Sequence, residues 1–147
     1  MGKVAHTAPM DMAQALNIAI QDYRKTKDGL DFSELFLVSR SEREFELRNS
    51  EHHVAYFSLQ QLPGCCGVLV SYYSEINNDY RDKGYGKALA NIRARAARLL
   101  KYGMMLATVV STNIAEIKLL QQLGWLERNE FRNPKTGNII KVFTLNI

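Results

Sequence analysis

The stretch at residues 71–102 restricts the fold more than any other part of this sequence. Its first residues, Ser71-Tyr72-Tyr73-Ser74-Glu75-Ile76, end a predicted strand. A polar turn leads into the loop Arg81-Asp82-Lys83-Gly84-Tyr85-Gly86-Lys87, and residues 88–102 then predict a long helix. The chain therefore passes from a strand through a glycine-containing loop into a helix.

This arrangement provides a site for an anion such as a phosphate group. The first amides of a helix have no partner inside the helix, and the helix dipole adds partial positive charge at the same end. Gly84 and Gly86 lack a Cβ, so the backbone can bend sharply and come close to a ligand. Arg81, Lys83 and Lys87 place further positive charge around these amides.

Two common phosphate-binding patterns do not match this loop. The dinucleotide pattern needs a third glycine where the chain has Leu89, and the nucleoside-triphosphate loop needs other residues at Arg81 and Ala88. What remains is arginine or glutamine, two residues, then Gly-x-Gly or Gly-x-Ala, which resembles the coenzyme A pyrophosphate loop of the GNAT-type N-acetyltransferase family. Taken alone, a glycine-rich connection without a ligand fits equally well, so the order of the surrounding elements decides.

The helix after the loop is amphipathic. At about 100° per residue, its apolar side chains fall within one arc of roughly 100°. These side chains are Leu89, Ile92, Ala96, Leu99 and Leu100. The opposite side carries Lys87, Asn91, Arg95, Arg98 and Lys101. This basic side predicts a solvated face, with contact to the adenosine-side phosphate of coenzyme A as the alternative.

Length and composition indicate a single domain spanning residues 1–147. Its 46% hydrophobic and 23% charged residues are ordinary for a globular protein. There is no apolar run of membrane-spanning length, and the N-terminus lacks the apolar core of a signal peptide, so we expect a cytoplasmic protein. Cys65 and Cys66 are adjacent and give no disulfide framework. A net charge of +4 favours a polyanionic ligand without requiring nucleic acid.

The elements before the loop are a helix and a run of hairpins. Residues 4–7 predict a short strand, and Asp11 with Gln14 has the spacing of a capping box for the first helix. Residues 30–43 fit either a short helix, capped by Asp31 or Ser33, or a strand, and we favour the helix. Alternation then predicts an antiparallel meander, whose strands are residues 45–47, 53–60 and 67–76.

The elements after the long helix alternate between strands and one more helix. Residues 104–110 are apolar on both faces, which is typical of a buried parallel strand. Asn113 and Glu116 have capping-box spacing for the next helix, which ends at Gly124. Residues 125–131 and 139–147 predict two final strands joined by a hairpin turn.

This order of elements resembles a GNAT domain over essentially the whole chain. A second family motif is present: Asn113 opens a helix and is followed at the usual distance by Leu123-Gly124-Trp125. The resemblance implies an α/β (α+β) fold, with a mixed, mostly antiparallel central sheet and about four helices. It also implies that the fourth and fifth strands splay apart.

The resemblance further implies where coenzyme A, as acetyl-CoA, would bind. The pantetheine arm would lie in the gap between the splayed strands and pair with the backbone around Ile76, much as an added strand does. Arg81 would orient the loop, and Asn113 would contact the arm or act as a plain helix cap. The implied coenzyme-binding residues are Ile76, Arg81, Asp82, Lys83, Gly84, Tyr85, Gly86, Lys87, Ala88 and Asn113.

The catalytic positions match the family pattern only in part. The family usually has a tyrosine that protonates the departing thiolate, and this chain has Leu120 at that position. Acid assistance is typically worth about 10²–10⁴-fold, and a thiol with a pKa near 8.5 can leave without it. Glu75 is our candidate base, with a solvated sheet-face charge as the alternative, and Ser111 is a candidate donor to the thiolate.

We therefore expect transfer of an acetyl group from acetyl-CoA to a primary amine of a small molecule or protein. The alternative is a catalytically weak or inactive GNAT-like fold that binds a protein partner, which the leucine at position 120 favours. Nucleic-acid binding through Arg93, Arg95, Arg98 and Lys101 ranks last. No metal is expected, because neighbouring His52 and His53 diverge. The resemblance leaves a homodimer through the last strands open.

Overall fold

The computed structural model describes residues 9–26 and 34–147. In this part of the chain, seven strands form one sheet in the order β1-β2-β3-β4-β5-β7-β6, accompanied by three α-helices. The strands are β1 Phe36–Ser39, β2 Glu44–Arg48, β3 His53–Gln61, β4 Val68–Ile76, β5 Met104–Val110, β6 Leu126–Arg132 and β7 Ile139–Asn146. The helices are α1 Met12–Arg24, α2 Tyr85–Leu99 and α3 Ile114–Gln122.

The first helix begins where the capping box predicts. The Asp11 side chain accepts a hydrogen bond from the Gln14 amide at 2.8 Å, and the Asp11 amide donates to Gln14 Oε1 at 2.9 Å. This reciprocal pair satisfies two helix-terminal donors. Leu16 and Ile20, one turn apart, are buried and pack in the core beneath α1.

The preference for a helix within residues 30–43 was wrong where the structure describes them. Residues Phe36–Ser39 form strand β1, which pairs antiparallel with β2 from Phe36 opposite Arg48 to Ser39 opposite Phe45. Pairing with the meander decides between two structures that a short apolar run fits equally well. Arg40 follows the strand and donates to the buried Glu46 of β2 at 2.8 Å. The predicted caps at Asp31 and Ser33, and the strand at residues 4–7, lie outside the described residues.

The meander and the splay are both present as predicted. Strands β2, β3 and β4 pair antiparallel, and Tyr72 is an extra residue in β4 because Ser58 faces Tyr73 while Leu59 faces Ser71. Strand β4 then pairs parallel with β5 over four positions, which end at Ser71 opposite Ala107. Beyond that rung, residues 72–76 of β4 have no ladder partner in β5.

The second half of the chain completes the sheet. Strand β5 pairs antiparallel with β7 along its whole length, and β7 pairs antiparallel with β6. Residues 126–132 form β6 at the sheet edge, close to the predicted range. The predicted helix count of about four compares with three α-helices and one short 3₁₀ turn, Asn78–Tyr80, within the described ranges. None of those helices combines the length and the apolar character needed to cross a bilayer.

One hydrophobic core joins the helices to the sheet. Phe57 in β3 is fully buried and stacks on Phe45 of β2 with ring centroids 5.6 Å apart. We expect Phe57→Ala to lower the free energy of unfolding by about 3–5 kcal/mol, because truncation of a buried aromatic leaves a cavity. Urea denaturation measures this change. Phe131→Ala is the matched control, since Phe131 is 47% exposed; a similar loss in both variants would contradict this view of the core.

Candidate active site

The glycine loop is held in a shape that leaves the first amides of α2 open. Gly84 is the residue before the helix, with φ of 87° in the left-handed region and no side-chain cap. Asp82 also has a positive φ, of 59°, which aspartate tolerates better than most residues. Because no side chain caps the helix, its first N–H groups are available to a ligand.

Side chains around the loop fix its position against the sheet. Arg81 donates from Nε to the carbonyl of Ile76 at 3.1 Å, which ties the loop to the end of β4. The hydroxyl of Tyr80 accepts from Asn49 at 2.7 Å, and its ring packs edge-on against Tyr85. The ammonium of Lys83 lies 5.6 Å from the Tyr80 ring centroid, in a cation–π arrangement.

A cavity of about 590 Å³, the loop cavity, lies between this loop and α3. Most of the predicted coenzyme-binding residues line it. They are Ile76, Arg81, Asp82, Gly84, Tyr85, Gly86, Lys87 and Asn113. Lys83 and Ala88 do not, since Lys83 lies over Tyr80 and the Ala88 amide donates to the Gly84 carbonyl at 3.1 Å inside the helix.

A second cavity of about 340 Å³, the splay cavity, opens where β4 and β5 separate. Residues 71–74 of β4 and 107–110 of β5 form its walls, and Leu120 and Trp125 also contribute to its lining. The two cavities share Ser74, Arg93, Asn113 and Glu116, so they adjoin. Together they form a path from the glycine loop to the gap between the strands.

Asn113 contributes to this path and caps a helix. Its side-chain oxygen accepts from the Glu116 amide at 3.3 Å at the start of α3. Asn113 also lines both cavities, where the carboxamide can meet a ligand. The two roles that the sequence left open are therefore compatible in one side chain.

The two candidate catalytic residues have different surroundings. Glu75 lines the loop cavity and accepts a hydrogen bond from the Tyr73 hydroxyl at 2.6 Å. This hydrogen bond, together with burial and the negative charge, raises the pKa of Tyr73, so its hydroxyl stays protonated at neutral pH. Ser111 lies just past β5, with its amide bonded to the Ile139 carbonyl at 2.8 Å, and it lines neither cavity.

Arg93 lines both cavities, although the sequence analysis grouped it with a candidate nucleic-acid surface. Its side chain is 5% exposed, so it cannot serve a nucleic-acid surface, and its Nη1 donates to Ser71 Oγ at 2.9 Å. Burial lowers the pKa of Arg93 to about 10, with Glu116 opposing the shift, so the guanidinium remains charged at neutral pH. Helical spacing indicates that Arg93 is buried, because position 93 lies only about 40° around the helix from Leu89 on the buried face.

The arrangement has several of the parts that acyl transfer needs. The loop cavity offers backbone N–H groups and cations to phosphates. The backbone of β4 beyond Ser71 can hold an extended ligand arm and polarise a carbonyl. Glu75 supplies a carboxylate beside that strand. Leu120 is buried in the splay cavity, so an acid is missing from that position.

Comparisons with known proteins define the class. A profile of the Acetyltransferase (GNAT) family matches residues 12–125, and the chain therefore belongs to this family. No curated protein sequence matches the chain.

Solved structures of this class share the fold at low sequence identity. Arabidopsis thaliana Naa50, in complex with the bisubstrate analogue CoA-Ac-MVNAL, superposes with a TM-score of 0.63 at 14% identity, over 71% of this chain and 72% of that one. A Bacillus subtilis acetyltransferase in complex with CoA gives 0.60 at 11% identity, covering 71% and 76%. Nourseothricin acetyltransferase gives 0.62 at 16% identity, covering 71% and 64%.

Proposed function

We propose that this protein transfers an acetyl group from acetyl-CoA to a primary amine of a small molecule or protein. The observation that carries the proposal is the pair of adjoining cavities, one at the glycine loop and one in the gap between β4 and β5. Of the neighbours named above, the Bacillus subtilis protein was solved with CoA and Naa50 with the bisubstrate analogue CoA-Ac-MVNAL. The family match supports acyl transfer in general.

The chain's own groups fit the donor. Acetyl-CoA would supply an activated acetyl group as a thioester. Its pyrophosphate suits the amides at the start of α2, where the residue before the helix, Gly84, has no side chain to cap them. Arg81 and Lys87 add positive charge on the same cavity. The free backbone of β4 and the carboxamide of Asn113 suit the polar, extended pantetheine arm.

Glu75 would take the proton that the amine must lose. A free lysine amine has a pKa near 10.4, so removal of its proton during attack needs a base at neutral pH. The Tyr73 hydroxyl donates to Glu75 and holds the carboxylate in place beside β4. Without an acid at Leu120, the thiol leaves with solvent as its proton donor.

Calorimetric titration of the purified protein with acetyl-CoA and with free CoA tests the proposal. We expect micromolar binding of both, because the loop contacts the part that they share. Thiol release with a panel of primary amines then identifies the acceptor. Absence of binding at millimolar ligand would contradict the proposal.

A second candidate function is binding of a protein partner by a GNAT-like fold with little catalysis. Leu120 favours it, because the position that usually carries an acid is filled by a buried aliphatic side chain. The thiol-release panel separates the two functions, because both allow binding of acetyl-CoA. Binding of acetyl-CoA with no thiol release for any amine of the panel would favour the second.

A further inference from the structure

Arg93 is a buried cation without a matching anion in contact. Among the described residues, its guanidinium has one hydrogen bond, to Ser71, and no carboxylate within ion-pair distance. A guanidinium carries five N–H donors, and buried charges in proteins are normally paired and hydrogen-bonded. Arg93 also lines both the loop cavity and the splay cavity. The remaining donors therefore have access to a ligand.

The position of Arg93 indicates which part of a ligand would reach it. Its partner Ser71 forms the last rung between β4 and β5, so the guanidinium lies at the apex of the splay. Ile76 at the loop end is five residues further along β4, or about 16 Å. A donor whose phosphates occupy the loop would extend along β4 toward Ser71. The group that arrives last, nearest Arg93, is the acyl group.

We propose that Arg93 binds a carboxylate at the far end of the acyl group, so that the site prefers a donor such as succinyl-CoA over a neutral acyl-CoA. This inference rests on the coenzyme A site and the acyl transfer of the proposed function, and it extends the donor from acetyl-CoA to acyl-CoA thioesters that end in a carboxylate. An arginine and a carboxylate form two parallel charge-assisted hydrogen bonds, which an acetyl or butyryl methyl group cannot form. Because the site is buried, a terminal carboxylate and a terminal methyl group differ strongly in binding free energy.

Glu116 modulates this preference. It is half-buried, lines the same two cavities, and its negative charge raises the pKa of Arg93 against the effect of burial. Glu116 therefore offsets part of the Arg93 charge without occupying the N–H donors of the guanidinium. An acyl carboxylate would be repelled by the Glu116 charge, so removal of that charge would strengthen binding of the carboxylate.

The reaction remains an ordinary acyl transfer. The amine nitrogen forms a bond to the thioester carbonyl carbon, and the carbon–sulfur bond breaks. The amine proton goes to Glu75 through intervening water, and the thiolate takes a proton from water. The products are a succinyl amide and free CoA, with the terminal carboxylate unchanged throughout.

Titration calorimetry with succinyl-CoA and butyryl-CoA tests the inference, because their four-carbon chains differ at the terminal carboxylate. We expect succinyl-CoA to bind the wild-type protein at least 10-fold more tightly. Arg93→Met should reduce this ratio to within about 2-fold, and methionine suits the buried position. Arg98→Met, an exposed arginine on the same helix, should keep the wild-type ratio.

The possible results distinguish a failure of the acyl preference from a failure of the proposed function. Equal binding of the two ligands by the wild-type protein, or a ratio that survives Arg93→Met, would overturn the acyl preference and leave the proposed function standing. No binding of either ligand would overturn the proposed function itself. If Arg93→Met does not fold, Glu116→Gln provides the second test, since it should raise the ratio, and an unchanged or lower ratio would contradict the inference.

Discussion

The double variant Gly84→Asp plus Gly86→Asp is expected to lose at least about 100-fold in affinity for CoA. Two carboxylates would then lie at the helix start where the pyrophosphate is proposed to bind. At an effective dielectric constant of about 20, like charges about 4 Å apart repel by about 4 kcal/mol, and each 1.4 kcal/mol is tenfold in affinity. Titration calorimetry with free CoA measures the loss.

The substitutions should leave the fold in place. A Cβ on Gly86 would meet Leu119 Cδ2 at 3.6 Å, which is an ordinary contact. Negative charge at a helix N-terminus also favours the helix. The Gly84 substitution carries a cost, because its φ is 87°.

The variant Gly64→Asp plus Gly137→Asp is the control, because it adds the same charge and at least as much backbone strain: of the loop pair only Gly84 has a positive φ. Both residues have positive φ, and a Cβ at either would have no neighbour within 4 Å. This control should bind CoA like the wild-type protein. If the Gly84 and Gly86 variant folds and binds CoA equally well, the loop does not hold the pyrophosphate.

Local periodicity was sufficient to predict most of the elements. The capping box of Asp11 and Gln14 marks the start of α1, and the alternation of residues 53–60 marks β3. The apolar run of residues 104–110 predicted the parallel pairing of β5 with β4. These signals suffice because the apolar residues of each element repeat with a regular period and because a capping or turn residue marks where the element begins or ends.

Strand β1 shows where local signals fail. Residues Phe36–Ser39 are too few to show a period, and their state depends on pairing with β2. Such short apolar runs are assigned by their tertiary partners and not by propensity.

The site was harder to predict than the fold because its contacts join distant parts of the chain. Arg93 meets Ser71 across 22 positions, and helical spacing alone says that it is buried without saying what it contacts. The Tyr73–Glu75 hydrogen bond needs two side chains on the same face of β4, which the extra residue Tyr72 shifts relative to the preceding part of the strand. The sequence predicts the glycine loop and singles out Glu75 as a candidate, but it does not indicate these pairs.

Glu75→Gln is expected to lower turnover by about 10²–10⁴-fold, the usual contribution of a general base. Glutamine keeps the size and can still accept from the Tyr73 hydroxyl, which is the donor in this pair and, as a phenol with a pKa near 10, is protonated at neutral pH. What it lacks is the ability to take a proton. Steady-state thiol release with the acceptor found in the amine panel measures the change.

The comparison of binding with turnover identifies the role of Glu75. A base lost from the reaction lowers kcat and leaves the affinity for acetyl-CoA unchanged, whereas a residue that holds the donor would weaken binding as well. Tyr73→Phe is the matched variant, since it removes the hydroxyl that positions Glu75 and keeps the carboxylate. We expect it to lower turnover less than Glu75→Gln does. Unchanged turnover in Glu75→Gln would exclude Glu75 as the base, and would leave the amine to lose its proton to water.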